Sequence, residues 1–402
     1  MLKKRQLLTT IAGILGLYLF STGISYAVFT YLLEPPRLSD FISPAIEEGE
    51  EGVESKMGEL LLDISGPKTE ACPINGQKFT KNEQKAWEER RPLLVMIENH
   101  EESRPQSGIS FADVVYEAVA EGGITRFMGV FYCGAQAYET ILGPVRSART
   151  YFLDWASEYG GFPLYAHVGG ANTPGPANAL GQIEDYGWAG VEGNDLNQFA
   201  IGFPTFWRDY ERLGKTVATE HTMYSTTERL WSVAKKRGWS NTSPDGEDWS
   251  EDFTSWEFLE EKKLGEGGTT TEITYPFWEN YSQYDAKWVY DSENKVYKRF
   301  TGSVEHKDLD NDQQLTAKNV IVITQEESRA NDDYPGNVHL LYETTGEGKA
   351  LVFYNGEVIT GKWVKRSRLD RMEFFDTAGK SVKLVPGKIW ISVVPTGTKV
   401  TY

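Results

Sequence analysis

The chain has 402 residues, of which 40% are hydrophobic and 25% are charged, and these fractions are typical of globular proteins. They exclude a globally disordered chain and a multi-span membrane protein, and the length is sufficient for roughly two or three domains. Acidic residues outnumber basic residues by 58 to 41, which gives a net charge of −17. Because nucleic-acid binding requires a basic face, we expect no nucleic-acid partner.

The N-terminal segment predicts a membrane anchor. Lys3, Lys4 and Arg5 precede a stretch from 6 to 33 that carries no charge, and about 20 apolar residues are enough to span a bilayer. Because basic residues remain cytoplasmic, we expect residues 7–33 to cross the membrane, with the N-terminus inside and the bulk of the chain outside the cell. A cleaved signal peptide is the alternative, although its apolar region usually has only roughly 7–15 residues.

The region that follows, residues 34–70, is predicted to be a flexible acidic tether, because it buries too little apolar surface to fold alone. No cysteine follows the apolar stretch closely, so we do not expect a lipid-modified N-terminus. Outside the cell, Cys72 and Cys133 either form a disulfide or remain as two separate buried thiols. Their spacing in the sequence does not decide between these alternatives.

Residues 71–238 predict a mixed α/β domain. Strand patterns and helical patterns occur without strict strand–helix–strand alternation, which favours an α+β fold. One helix is predicted to follow Ser147, and a second is indicated by the capping pattern of Ser225 and Glu228. In chain order, the predicted elements are strands at 91–97, 113–119 and 124–132, a helix at 148–159, a strand at 163–168, and a helix that ends before Gly238.

The remaining residues predict a polar linker or insert at 239–271 and a β-rich domain at 272–402. Asn355-Gly356 lies between two apolar runs, a pattern typical of a type I′ hairpin turn. The predicted strands lie at 288–290, 296–297, 320–323, 351–354, 358–359, 372–375, 382–385 and 389–394. The predicted fold is therefore α+β: a sandwich-like mixed α/β domain and a β-rich domain, preceded by a cytoplasmic tip and transmembrane helix at 1–33.

A cluster of polar residues between 98 and 170 lies at predicted strand ends and glycine turns, where sites are usually built. Arg146 and Arg149 begin the predicted helix, whose amides and dipole favour an anion, and two guanidinium groups there are suited to a carboxylate or phosphate. The alternative is that these arginines pair internally with Glu117 and Glu121. The candidate ligand-binding residues are Arg104, Glu117, Arg126, Arg146, Ser147 and Arg149.

The same cluster contains the candidate catalytic residues His100, Glu121 and His167. Histidine titrates near neutral pH and acts as a general acid or base, and Glu121 would be its carboxylate partner. The alternative is that each histidine is a hydrogen-bonded core or turn residue. A metal site formed by the two histidines and a carboxylate is not favoured, and we expect no metal and no cofactor. The sequence contains no Gly-x-Ser-x-Gly elbow and no His-Glu-x-x-His pair.

Four stretches of the N-terminal part form a specific set of motifs: RPLLVMIENH, ESRPQSGISFADVVYEAVAEGGITRF, GPVRSART and YAHVGG. Three more lie in the C-terminal part: Asn355-Gly356, Gly361-Lys-Trp363 and Pro386-Gly387-Lys-Ile-Trp390. Together they resemble the YerB-like family of bacterial envelope proteins, which are built on domains of unknown function. The resemblance covers most of the chain after residue 72. It implies an α+β N-terminal domain, a β-rich C-terminal domain and an extracytoplasmic location, but no particular reaction. Many family members resemble lipoproteins, and this chain departs from them by its predicted transmembrane anchor.

We therefore expect a single-pass envelope protein that binds an anionic cell-wall component or a cell-wall enzyme through an arginine-rich cleft. The first alternative is a hydrolase or transferase that acts on cell-wall glycan or peptide. The second alternative is a structural scaffold without a ligand.

Overall fold

The structure, a computed structural model, describes residues 60–260, 264–334 and 338–402. These residues belong to one compact unit, Lys56–Tyr402. The predicted transmembrane helix and most of the predicted tether lie outside the described residues. Within the described ranges, no helix is both long enough and apolar enough to cross a membrane.

The first part of the described chain contains short helices among ten strands. The strands are β1 (Glu70–Ala71), β2 (Lys78–Phe79), β3 (Leu93–Glu98), β4 (Val114–Glu121), β5 (Ile124–Phe131), β6 (Ile141–Leu142), β7 (Leu164–His167), β8 (Asp195–Asn197), β9 (Trp207–Arg208) and β10 (Met223–Thr226). The α-helices are α1 (Lys81–Trp87), α2 (Thr150–Ala156), α3 (Ala179–Asp185), α4 (Gln198–Ile201) and α5 (Thr227–Lys236). Single turns of 3-10 helix lie at Glu101–Ser103, Ile109–Phe111 and Thr219–His221.

The predicted strands and helices of this part are present, and the two helices differ in detail. The helix predicted at 148–159 is the shorter α2, with Arg149 as its N-cap. The N-cap of α5 is Thr226 instead of Ser225, because the Thr226 side chain accepts a hydrogen bond from the Arg229 amide. Capping therefore begins one residue later than the sequence pattern predicted.

The second part is almost entirely β-structure. Its strands are β11 (Glu272–Tyr275), β12 (Ala286–Asp291), β13 (Val296–Thr301), β14 (Val304–Glu305), β15 (Thr316–Ala317), β16 (Asn319–Gln325), β17 (Glu327–Arg329), β18 (Leu340–Tyr342), β19 (Gly346–Tyr354), β20 (Glu357–Lys365), β21 (Glu373–Asp376) and β22 (Ile389–Pro395), with a 3-10 turn at Ser282–Tyr284. Asn355 and Gly356 connect β19 to β20 with φ of 48° and 69°, as a type I′ turn requires. The strand predicted at 382–385 is wrong: the Leu384 backbone pairs with the segment around Phe258 and forms only an isolated bridge.

One ten-stranded sheet contains strands from both parts, in the order β21-β20-β19-β16-β22-β4-β5-β3-β7-β8. The C-terminal strand β22 lies between β16 and β4 and is parallel to both. Its first six residues are buried, and a continuous apolar run is typical of a strand that is covered on both faces. The fold is thus mixed α/β with a large mixed sheet and a β-rich C-terminal region.

A second sheet of five strands, β11 to β15, lies against the large sheet. The rings of Trp288 on β12 and Trp390 on β22 meet edge-on with centroids 5.2 Å apart, and both side chains are fully buried. Edge-to-face contacts of this kind stabilise aromatic cores. The tryptophans therefore join the second sheet to the centre of the first.

The two cysteines form a disulfide between Cys72 and Cys133, with an S–S distance of 2.19 Å and a Cα–Cα distance of 6.0 Å. Both residues are buried. The pairing that the sequence left open is therefore decided, and the bond connects the segment before β2 to the residues that follow β5.

Candidate functional site

The centre of the candidate site is the segment that contains Arg146, which lies between the end of β3 and the loop after β7. The amide of Arg146 donates to the carbonyl of Met96 at 2.8 Å, and the carbonyl of Arg146 accepts from Val168 at 3.0 Å. The amide of Ala148 donates to the carbonyl of Gly169 at 2.9 Å. These backbone contacts bring the GPVRSART and YAHVGG motifs together where β3 and β7 of the large sheet end.

A cleft of about 620 Å³ opens beside this segment. Among its lining residues are Arg146, Ser147, Asn172, Asn197, Phe199, Arg208, Thr219 and Glu220. Its wall is mixed, with amide, hydroxyl and guanidinium groups beside the exposed ring of Phe199. Of the predicted ligand-binding residues, Arg146 and Ser147 therefore line a cavity that is accessible to solvent.

The side chain of Arg146 is one-quarter exposed, and its Nε donates to Oε1 of Glu98 at 3.0 Å. Within the part of the chain that the structure describes, neither Nη atom of Arg146 has a hydrogen-bond partner. The other carboxylate oxygen of Glu98 lies 2.8 Å from Nδ1 of His221. This hydrogen bond raises the pKa of His221, although burial opposes the shift. Glu98 thus holds Arg146 and His221 together and leaves the outer edge of the guanidinium available.

Arg126 and Arg149 have a different role from Arg146, because both are buried around Glu121. Nη2 of Arg126 lies 3.1 Å from Oε1 of Glu121, and Nη2 of Arg149 lies 2.7 Å from Oε2. Burial alone would raise the pKa of Glu121, but the two guanidinium groups outweigh it and lower this pKa to about 2. Arg126 also donates to the backbone carbonyl of Ser147 at 2.9 Å. These contacts correspond to the internal pairing that was the alternative for Arg149.

Glu117 and Arg104 also make internal contacts. Glu117 is fully buried and lies 2.8 Å from Nη2 of Arg299 on β13. Arg104 donates to the side chain of Asn99 and the carbonyl of Gln283, each at 2.9 Å. These two residues connect the N-terminal part of the chain to the C-terminal part and do not line the cleft beside Arg146.

The three predicted catalytic residues have separate sets of partners. His167 is fully buried, with Nε2 at 2.6 Å from Asp195 and Nδ1 at 2.6 Å from the carbonyl of Gly169. Glu121 is held by its two arginines. His100 is partly exposed, and its ring stacks on His221 with centroids 4.7 Å apart. The arrangement gives His167 a structural contact at the end of β7 rather than access to a substrate.

The sequence gives no specific role to Glu102 or Asp195. The loop-like pattern around residues 206–209 and His221 predicts either the border of a cleft or a structural loop. His221 lies 123 residues from Glu98, its hydrogen-bond partner. No local spacing connects residues so far apart. The one signal in the sequence was the group Glu98-Asn99-His100 directly after a buried strand, which marked one half of the cluster.

Comparison with known proteins gives consistent matches over most of the chain. The model of the N-terminal domain of a protein of unknown function (DUF3048) matches residues 79–240, and that of the DUF3048 C-terminal domain matches residues 273–391. The putative lipoprotein YerB of Bacillus subtilis is 30% identical over 348 residues, which cover 84% of this chain and 92% of YerB. A crystal structure of YerB from Bacillus subtilis superposes with a TM-score of 0.66 at 25% identity, covering 83% of this chain and all of that one. The chain therefore belongs to the YerB-like family, whose members carry the DUF3048 N- and C-terminal domains.

Proposed function

We propose that this chain is a membrane-anchored, extracytoplasmic protein of the bacterial cell envelope. The uncharged stretch at 6–33 supports an anchor, and the relative YerB is described as a putative lipoprotein. The disulfide between Cys72 and Cys133 agrees with an oxidising compartment. In this proposal, the anchor is the apolar segment itself and not a lipid.

Within the envelope, the chain binds an anionic component of the cell wall in the cleft beside Arg146. The observation that carries this proposal is the position of the Arg146 side chain, which is held by Glu98 through Nε and lines a cleft of about 620 Å³. A guanidinium held at one edge presents its remaining donors in a fixed fork, which matches two oxygens of a carboxylate or phosphate.

The neighbouring side chains suit a ligand with both polar and apolar parts. Arg208 adds a second guanidinium to the lining, and Asn172 and Asn197 contribute amide groups. The ring of Phe199 is 76% exposed and offers an apolar surface for the body of the ligand. Teichoic-type phosphates and the carboxylates of peptide stems are the two cell-wall sources of such an anion.

The arrangement favours binding over hydrolysis of a cell-wall polymer. A general acid or base must reach the proton that it transfers, and His167 is fully buried while Glu121 is engaged by two arginines. The proposed ligand therefore meets Arg146 and the cleft wall, while His167 and Glu121 are engaged in contacts inside the protein.

Calorimetric titration of the purified full-length protein with a glycerol phosphate oligomer and with a soluble muropeptide tests this proposal. We expect saturable binding of one of them without turnover. Arg146→Gln should weaken it about ten- to hundredfold, because a charged hydrogen bond contributes about 1.5–3 kcal/mol. Arg366→Gln is the matched control, since it removes the same charge from a side chain that is 63% exposed and paired with Glu373. Equal affinity of Arg146→Gln and Arg366→Gln would contradict the proposal, and product formation would favour the hydrolase alternative.

A further inference from the structure

Two histidines and a glutamate converge next to the cleft, although they come from distant parts of the chain. His100 and Glu102 lie in the turn after β3, and His221 ends the short 3-10 turn before β10. One nitrogen or carboxylate oxygen from each residue lies within 4.8 Å of the others. Imidazole nitrogens and a carboxylate oxygen are ligands that Zn²⁺ prefers.

The distance between two of these ligands is close to the value for a single ion. Nε2 of His221 lies 3.6 Å from Oε2 of Glu102. Two ligands of one tetrahedral Zn²⁺, each bound at about 2.0–2.1 Å, are separated by about 3.3 Å. A small rotation of the Glu102 side chain, which is 56% exposed, therefore brings both atoms within bonding distance of the same ion.

The surroundings of His221 fix the ring as a metal ligand requires. Glu98 lies 2.8 Å from Nδ1, so this nitrogen donates its proton to the carboxylate and Nε2 keeps a free lone pair. Histidines that bind zinc in proteins commonly donate the proton of their other ring nitrogen to a carboxylate in this way. Arg146 pairs with the other oxygen of Glu98 and holds that carboxylate in place.

His100 needs one local change before it can bind a metal. Its Nδ1 accepts a hydrogen bond of 3.2 Å from the amide of Glu102. The lone pair on Nδ1 becomes available when the Glu102 amide donates to a water molecule instead, or when the His100 ring rotates about its Cβ–Cγ bond. Because the amide is at the surface, the lost contact is replaced by solvent. The rings of His100 and His221 are stacked and nearly parallel, with centroids 4.7 Å apart, so the His100 ring must turn out of this stack before both in-plane lone pairs meet at one ion.

Access and charge also favour a cation. His100 is partly exposed and Glu102 is mostly exposed, so an ion can enter from solvent. Glu220 is an exposed acidic residue next to the cluster. We propose that His100, Glu102 and His221 form a binding site for a divalent transition-metal ion of the zinc type, with at least one coordination position open to solvent. This site differs from the pair of histidines considered from the sequence, because His221 takes the place of His167.

The test is a titration of tag-free, chelator-treated full-length protein with Zn²⁺ alone, followed by competition with a chromophoric chelator. We expect one ion per chain. His100→Ala and Glu102→Gln should each weaken its affinity by at least about tenfold. Glu98→Gln, which removes the carboxylate that orients His221 and pairs with Arg146, should weaken it by about ten- to hundredfold. Glu101→Gln is the matched control, because it neutralises the exposed carboxylate next to Glu102 and should leave the affinity unchanged.

Binding of Co²⁺ provides a second measurement, since its absorption spectrum reports the coordination geometry. The wild type should give the spectrum of a four-coordinate ion, and His100→Ala should lose it while retaining the wild-type melting temperature. His221 is buried, so the two more exposed ligands, His100 and Glu102, carry the test independently of folding. The proposal is overturned if the wild type does not bind Zn²⁺ at micromolar concentration, or if His100→Ala and Glu102→Gln bind it as tightly as Glu101→Gln.

Discussion

The ion pair between Glu117 on β4 and Arg299 on β13 connects the two parts of the chain through the core. Both side chains are fully buried, and Nη2 of Arg299 lies 2.8 Å from Oε2 and 2.9 Å from Oε1 of Glu117. Glu117 also accepts hydrogen bonds from Trp390 at 3.0 Å and from Thr125 at 3.1 Å. The Arg299 guanidinium lies over the rings of Trp288 and Trp390, with centroid distances of 5.0 and 4.7 Å.

Arg299→Met should destabilise the fold strongly at neutral pH, because it leaves the Glu117 carboxylate without its cation. Burial already raises the pKa of Glu117, and Arg299 is the largest influence that lowers it. Without Arg299, the folded protein must bury Glu117 in its protonated form. Protonation at pH 7 of a carboxyl with an unfolded pKa of about 4.3 costs about 4 kcal/mol. This value lies within the range of about 3–5 kcal/mol for a broken buried ion pair.

The sign of the pH dependence follows from the same pair. In Arg299→Met, the folded-state pKa of Glu117 is far above the unfolded value, so the lost stability should grow as pH rises above about 4.3, by about 1.4 kcal/mol per unit. Urea unfolding at pH 5, 6, 7 and 8, monitored by tryptophan fluorescence, measures this loss of stability. The double variant Arg299→Met with Glu117→Gln should lose this slope and recover part of the stability. A loss below about 1 kcal/mol at pH 7 for the single variant, or the same slope in the double variant, would refute the reasoning.

Reduction of the bond between Cys72 and Cys133, or replacement of both by serine, should lower the free energy of unfolding by about 4 kcal/mol, since the cysteines are 61 residues apart. Chemical denaturation with and without reductant measures this loss, and an unchanged denaturation midpoint would contradict the prediction. Glu121→Gln should cost about 3 kcal/mol at pH 7, because the pKa of Glu121 is lowered to about 2. That stability is present in the wild type above about pH 4.5 and is lost as pH falls toward 2. In acid unfolding, the free energies of unfolding of the wild type and Glu121→Gln should therefore differ at pH 7 and become equal near pH 2. A difference that stays constant with pH would contradict the lowered pKa of Glu121. Gly361→Ala places a Cβ 1.8 Å from the carbonyl oxygen of Phe375 and should destabilise the β20–β21 pair by about 1–3 kcal/mol; a melting temperature equal to that of the wild type would exclude this clash.

Several local features were predictable from the order of residues. The buried run at 93–97 became β3, and the apolar run near the C-terminus became β22. The Asn355-Gly356 turn joins its two strands as the pattern predicted. The strand at 382–385 failed because apolar alternation indicates burial but does not show whether a neighbouring strand is available for pairing.

The candidate site was only partly predictable, for a related reason. Sequence motifs marked Arg146 and His100, and in the structure both side chains are partly accessible to solvent. The motifs did not show that Arg149 is enclosed with Glu121, because a charged residue has the same local pattern at a cleft and in an internal pair. Burial and partner choice depend on which segments the sheet brings together.

The order of residues by itself determined the periodicity of the strands, the tight turn and the family motifs, since each depends on neighbours within a few positions. The tertiary structure alone decided that Glu98 meets His221 across 123 residues and that Glu117 meets Arg299 across 182 residues. It also decided that β22 enters the middle of a sheet built largely from earlier strands. The physical reason is that pairing over such separations is selected by the free energy of burying large surfaces together. The sequence of a short segment does not indicate which distant surface it will be buried against.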